Sequence, residues 1–123
     1  MAKAPDPFYE YVAEILAPIG PVSIRRLFGG AGVFQDGLMF ALLAADTIYL
    51  KTDAALRADL ILEGSEPFIW TRPGTGEEID MGYVSLPSSA MDDPEEASAW
   101  ARRALAVARA KAAARPVAKK KKT

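Results

Sequence analysis

The sequence contains neither cysteine nor histidine among its 123 residues. Without cysteine, the chain cannot form a disulfide framework, a thiol nucleophile or a thiolate metal site. Without histidine, it lacks the commonest general base, the commonest metal ligand and the usual proton switch near neutral pH. These two absences exclude most familiar hydrolase and metalloenzyme sites. We therefore expect a protein that is not an enzyme and that uses neither a metal nor another cofactor.

Long apolar runs are also missing. No segment reaches the ~18 consecutive apolar residues that a membrane-spanning helix requires. The first residues lead into an amphipathic segment with Glu10 and Glu14, and they lack the apolar core of a secretory leader. We expect no membrane association and a cytoplasmic location.

Charge is distributed unevenly along the chain. Residues 1–108 carry all 16 acidic residues and only eight basic ones, a net charge of −8, whereas residues 109–123 carry seven basic residues and no acidic one. Such asymmetry is typical of a globular body followed by an interaction arm. The sequence thus predicts a domain over residues 1–110 and a basic tail over residues 111–123, which we expect to be disordered.

The tail has two interpretations that the sequence leaves open. It is either a solubilising end or an arm that binds nucleic-acid phosphates. Consecutive lysines supply charge without the geometry that distinguishes bases, so binding would be independent of nucleotide sequence. The candidate nucleic-acid contacts are Arg115, Lys119, Lys120, Lys121 and Lys122.

Hydrophobic periodicity and start signals predict three helices, near residues 7–18, 54–63 and 94–110. Asp6, Asp53 and Asp93 stand at the expected N-cap positions, and proline follows two of them. The acidic run Asp92–Glu96 could also suggest a cation or acid–base site. Helix capping already accounts for most of that run, so we favour the structural role.

Between the helices the pattern indicates extended structure. Residues 22–52 predict a three-stranded meander whose first strand is interrupted at Gly29–Gly32, with turns at Asp36–Gly37 and Ala45–Asp46. Two further strands are predicted near residues 68–71 and 78–86. The element order is α-β-β-β-α-β-β-α, which indicates an α+β fold with helices packed in a second layer on a five-stranded antiparallel sheet.

The glycine-rich segment offers one candidate site. Gly29, Gly30 and Gly32 resemble a phosphate-binding loop in composition, but the lysine and hydroxyl residue of a P-loop are missing and no helix follows. We favour a structural bend or bulge at these glycines. The preceding Arg25 and Arg26 point to opposite faces of a strand, and they are either solvated or in contact with an anion or a protein partner.

Three large aromatic residues offer another candidate. Trp70, Tyr83 and Trp100 could form a platform on which nucleic-acid bases stack. Their spacing on predicted strands and a helix also suits core packing, which we favour.

Several motifs together resemble the N-terminal domain of the TfoX/Sxy competence-regulator family. They are GPVSIRRLFGGAGVF (residues 20–34), DGLMFAL (36–42), IYLK (48–51), GSEPF (64–68) and the Asp-Asp-Pro-Glu before an alanine- and arginine-rich helix. The resemblance extends over about residues 8–108. It is to a stand-alone form of the domain, because the lysine-rich tail stands where longer members carry a second, helical domain.

The resemblance implies a two-layer fold similar to that of type III secretion chaperones. It also implies regulation of natural-transformation genes, exerted in some members through another transcription factor. We therefore expect a regulatory or adaptor domain that acts by contact with a protein partner, such as a transcription factor. The alternative is non-specific nucleic-acid binding through the tail, and a homodimer stays open.

Overall fold

The computed structural model describes residues 6–27 and 30–114. Its helices are α1 (Pro7–Ile15), α2 (Ala54–Leu62) and α3 (Pro94–Ala114), and two 3-10 turns lie at Ala17–Ile19 and Ser88–Ala90. Its strands are β1 (Ser23–Leu27), β2 (Gly30–Gln35), β3 (Leu38–Ala44), β4 (Thr47–Lys51), β5 (Pro67–Thr71) and β6 (Glu78–Ser85). None of the described helices is both long and apolar enough to cross a bilayer.

The predicted helix starts are confirmed by their caps. The side chain of Asp6 accepts a hydrogen bond from the Phe8 amide at 2.9 Å, and that of Asp53 accepts one from the Leu56 amide at 2.8 Å. Asp93 accepts from the Glu95 and Glu96 amides. These bonds satisfy amides that have no partner inside the helix. Helix α3 continues to Ala114, four residues beyond its predicted end.

All strands form one antiparallel sheet in the order β1-β2-β3-β4-β6-β5. The α+β class and the antiparallel sheet are confirmed, but the prediction of five strands is wrong, because the sheet has six. Leu27 pairs with Gly30, so the chain reverses direction between them. The segment predicted as one interrupted strand is therefore a hairpin of β1 and β2.

The core lies between one sheet face and the helices. Helix α3 packs on β3 and β4 with a face of mostly small residues, which lets the helix approach the strands closely. A bulge between β2 and β3 adds to this core: Val33 pairs with Ala41 and Phe34 with Met39, which leaves Phe40 as the additional residue. Phe40 is completely buried.

Close packing requires glycine at position 30, whereas the packing around Gly32 can adjust. Neither is among the residues with positive φ, and Gly29 lies outside the described residues. A Cβ atom at Gly30 would lie 2.3 Å from the backbone oxygen of Leu43, whereas one at Gly32 would lie 2.8 Å from the Sδ atom of Met39. The first obstacle is fixed backbone, and the second is part of a flexible side chain.

We expect Gly30→Ala to lower the free energy of unfolding by about 2–3 kcal/mol, because strand β3 must move to admit the methyl group. Gly32→Ala is the matched control, with an expected loss of at most about 1 kcal/mol, since methionine repacks easily. Urea denaturation monitored by circular dichroism measures both values. Equal losses would contradict the assignment of Gly30 to close backbone approach.

The Ala45–Asp46 turn contains backbone strain. Both predicted hairpin turns are confirmed, but Asp36–Gly37 includes a glycine, whereas Ala45 and Asp46 have φ of 50° and 57° without one. Alanine rarely adopts this left-handed conformation, which asparagine tolerates.

We expect Ala45→Asn to raise the free energy of unfolding by about 0.5–1 kcal/mol, because asparagine suits the left-handed position of a hairpin turn. The same change at Ala55, exposed on helix α2, is the control and should lower stability by up to ~0.7 kcal/mol through helix propensity. Thermal unfolding of the two variants should shift in opposite directions. A loss of stability in Ala45→Asn would be evidence against strain in the turn.

Candidate interaction surface

Strand register divides the sheet into two unlike faces. One row across the sheet joins Arg25, Gly32, Leu42, Tyr49 and Ser85. The adjacent row joins residues 26, 31, 43 and 48, and its three residues at 31, 43 and 48 are buried in the core under the helices. Successive side chains of a strand point to opposite faces, so the first row lies on the face away from the core. We call this face, which lies away from the core, the open face.

The open face carries apolar side chains that the core does not use. They are partly exposed, and none of them belongs to the side chains that pack against the buried core. Leucines, a methionine and aromatic rings contribute to it. Its members are Leu27, Phe34, Met39, Leu42, Tyr49, Phe68 and Tyr83.

Two cations lie over aromatic rings of this face. The Arg25 guanidinium carbon is 4.6 Å from the centre of the Phe34 ring, and the Lys51 Nζ atom is 5.7 Å from that of Tyr83. Both distances suit a cation–π interaction. Burial raises the pKa of the Tyr83 hydroxyl, so this group remains neutral at pH 7.

A third cation–π pair, formed by Arg72 and Trp70, lies at the edge of the sheet. The rings of Tyr49 and Phe68 are 4.9 Å apart, which places Phe68 on the open face, and alternation places Trp70 beside it. The Arg72 guanidinium lies 5.9 Å from the Trp70 ring and is held by the Glu77 carboxylate at 3.1 Å. Aromatic rings, three of which have a cation over them, therefore extend from one edge of the sheet to the other.

The strands contribute no acidic side chain to the open face. Glu78 and Asp80 are the only acidic residues in the described strands, and both belong to β6. Asp80 is bound at 2.8 Å by Arg57 of helix α2, on the core side of the sheet, and alternation places Glu78 on that side too. The bond from Arg57, followed by one from the Gly82 amide, lowers the pKa of Asp80. The strands thus give the open face the basic residues Arg25 and Lys51 and no acidic residue, on a domain whose net charge is negative.

The two predicted arginines lie on opposite faces, as the alternation indicated. Arg25 belongs to the open face, whereas Arg26 lies 5.2 Å from the ring of Tyr9 in helix α1. Arg26 also lines a cavity of about 220 Å³ together with Asp6 and the Ala45–Asp46 turn. The two side chains therefore cannot hold one anion between them.

Of the three aromatic residues considered from the sequence, only Trp100 packs against the core. The expectation of core packing is wrong for Trp70 and Tyr83, because their strands carry apolar side chains on both faces. Apolar residues at consecutive positions of these strands were the sequence signal for an exposed apolar face. The tail residues Arg115 and Lys119–Lys122 lie outside the described residues.

An acidic region lies at the turn of the hairpin β3–β4. A cavity of about 300 Å³ is lined there by Asp46, Glu63 and Glu66. The Ser65 hydroxyl lines the same cavity and is buried without a hydrogen-bond partner in the described part of the chain. Within residues 6–27 and 30–114, no cluster of acidic side chains has the arrangement of a metal site.

Comparison with known families supplies the remaining evidence. The family model described as TfoX N-terminal domain matches residues 14–108, which include all six strands, helix α2 and most of helix α3. No curated protein shows significant similarity to the chain. Because the match covers well over half of the 123 residues, the chain belongs to the TfoX N-terminal domain family.

Proposed function

We propose that the chain is a cytoplasmic, non-enzymatic adaptor in transcription regulation, which binds a protein partner on its open face. Family membership indicates a domain like that of competence regulators. The observation that carries the proposal is the sheet face whose aromatic and aliphatic side chains remain partly exposed beside the core. Contiguous apolar surface of this kind marks interaction sites on soluble proteins.

The composition of the open face indicates the chemistry of the partner's surface. Tyrosine, phenylalanine, methionine and arginine are enriched in protein interfaces. Arg25 and Lys51 are held over rings, and the strands add no acidic side chain to this face. A complementary partner therefore presents an acidic rim around apolar side chains, as a surface of a transcription factor can. The likeness to type III secretion chaperones stays a prediction.

Adjacent arginines on opposite faces provide a matched test. Arg25→Glu reverses charge on the open face and should weaken partner binding at least about tenfold, equivalent to ~1.4 kcal/mol. Arg26→Glu makes the same change on the core side and should leave binding within about twofold. The measurement is the transcript response of the native cell to each variant, followed by titration of the isolated partner. Equal responses from the two variants would refute docking on the open face.

The second candidate function is non-specific nucleic-acid binding through the tail. Four consecutive lysines, Lys119–Lys122, follow a domain that is itself acidic. Of the seven basic residues in 109–123, the two that the structure describes contact the domain: Arg109 pairs with Asp36 at 3.8 Å, and Lys111 donates to the Thr52 carbonyl at 3.5 Å. The candidate phosphate contacts are then the five basic residues after Ala114.

We expect deletion of residues 115–123, which leaves helix α3 complete, to abolish duplex binding at low salt without a change in unfolding temperature. For the intact chain, five phosphate contacts give a log–log salt slope of about −4.5, at roughly 0.9 per contact. Fluorescence anisotropy with a labelled duplex measures both. Binding that survives the deletion would show that the domain itself binds nucleic acid. Absence of binding by the intact chain at low salt would leave the tail a solubilising end.

A further inference from the structure

The most exposed large apolar side chains of the described residues lie at one edge of the molecule. They are Ile61 (41% exposed), Leu62 (84%), Ile69 (43%) and Met81 (44%). They belong to helix α2 and to strands β5 and β6, where the sheet ends. Arg57, one helical turn before Ile61, binds Asp80, the register partner of Ile69. Ile69 thus lies on the same side of the sheet as helix α2, whereas alternation places Met81 on the open face.

Strand β5 forms that edge, and its backbone has a defined outward side. The Arg72 amide donates to the Glu77 carbonyl at 2.7 Å, and the Glu66 carbonyl accepts from the Ser85 amide at 2.8 Å, so both residues bond towards β6. Hydrogen-bonding direction alternates along a strand. The amide and carbonyl groups of Ile69 and Thr71 therefore point away from the sheet, as does the carbonyl of Pro67.

The two edges of the sheet differ in charge. Strand β1 carries Arg25 and Arg26 at its centre, so pairing with its own copy would bring like charges together. Charged side chains at an edge are a common protection against such pairing. Strand β5 has the sequence Pro-Phe-Ile-Trp-Thr without any charge. Its aromatic and β-branched residues favour addition of another strand.

We propose that β5 pairs antiparallel with β5 of a second copy of the chain, around a twofold axis at Ile69. The two Ile69 residues then exchange amide–carbonyl hydrogen bonds, and each Thr71 amide donates to Pro67 of the other copy. Phe68 faces Trp70 across the junction at a position without hydrogen bonds, where cross-strand side chains are closest. Pro67 has no amide hydrogen to donate to the Thr71 carbonyl of the other copy, so the Pro67–Thr71 pair at each end of the junction has one hydrogen bond.

Charge complementarity selects this register. One residue beyond each end of the junction, Glu66 faces Arg72 of the other copy. Glu66 is exposed and forms no ion pair within the described part of the chain. Arg72 uses its Nε atom for Glu77, which leaves its terminal nitrogens free for a second carboxylate. Shifting the strands by two residues would lose this pair on both sides.

The dimer joins two six-stranded sheets into one continuous sheet. Because the twofold axis is perpendicular to the plane of the sheet, the open faces of both copies lie on the same side of the continuous sheet. The proposal does not depend on what binds there, since dimerisation is measured on the purified chain alone.

Sedimentation velocity from about 10 µM to about 1 mM tests the proposal, because a contact between two short edge strands is small and we expect it to be weak. We expect a reversible monomer–dimer equilibrium for the intact chain. Ile69→Arg, which places two like charges at the axis, should weaken the dimer at least tenfold. Circular dichroism should show an unchanged fold. A monomer at every concentration, or a dimer that Ile69→Arg leaves intact, would overturn the proposal.

Charge reversal tests the register. Glu66→Arg and Arg72→Glu each place like charges opposite one another in a homodimer, so each variant alone should be monomeric at concentrations where the intact chain dimerises. An equimolar mixture restores both opposite-charge pairs and should form a heterodimer. Glu63→Arg, an exposed reversal outside the junction, is the control and should dimerise normally. A mixture that stays monomeric would refute this register.

Discussion

The packing of helix α3 against one face of the sheet is the constraint on which the remaining structure depends. Its inner face consists largely of alanines, including Ala97, Ala101, Ala104 and Ala108, all buried. Small side chains bring the helix axis close to strands β3 and β4, and α1 and α2 complete the same layer. Because the described helices share one side, the apolar residues on the other side of the strands are left partly exposed.

The charged side chains are also divided between the helices and the open face of the sheet. The acidic residues lie mainly on helices, caps and turns, where carboxylates stabilise helix starts and remain hydrated. Among the described strand residues only Glu78 and Asp80 are acidic, and Arg57 holds the latter on the core side. A chain with negative net charge thus has a sheet face to which the strands contribute aromatic and basic side chains but no acidic one. This separation is the physical basis for proposing that a partner binds the open face.

Two small backbone features set the geometry of that face. The bulge opposite Val33 turns Phe40 into the core and leaves Phe34 and Met39 on the open side. Gly30 allows the hairpin of β1 and β2 to lie directly against the Leu43 carbonyl. Together they keep the first two strands in register with the rest of the sheet, and Arg25 is thereby held over Phe34.

The sequence alone determined the helices, because their caps and apolar spacing are local signals. It also determined the Asp36–Gly37 turn and the opposite directions of Arg25 and Arg26. The tertiary structure decided the reversal between Leu27 and Gly30, since a glycine-rich interruption and a tight hairpin have the same composition. It also decided the side on which Trp70 and Tyr83 lie. Strands that are apolar on both faces do not encode which face the helices cover, and that choice arises only from packing.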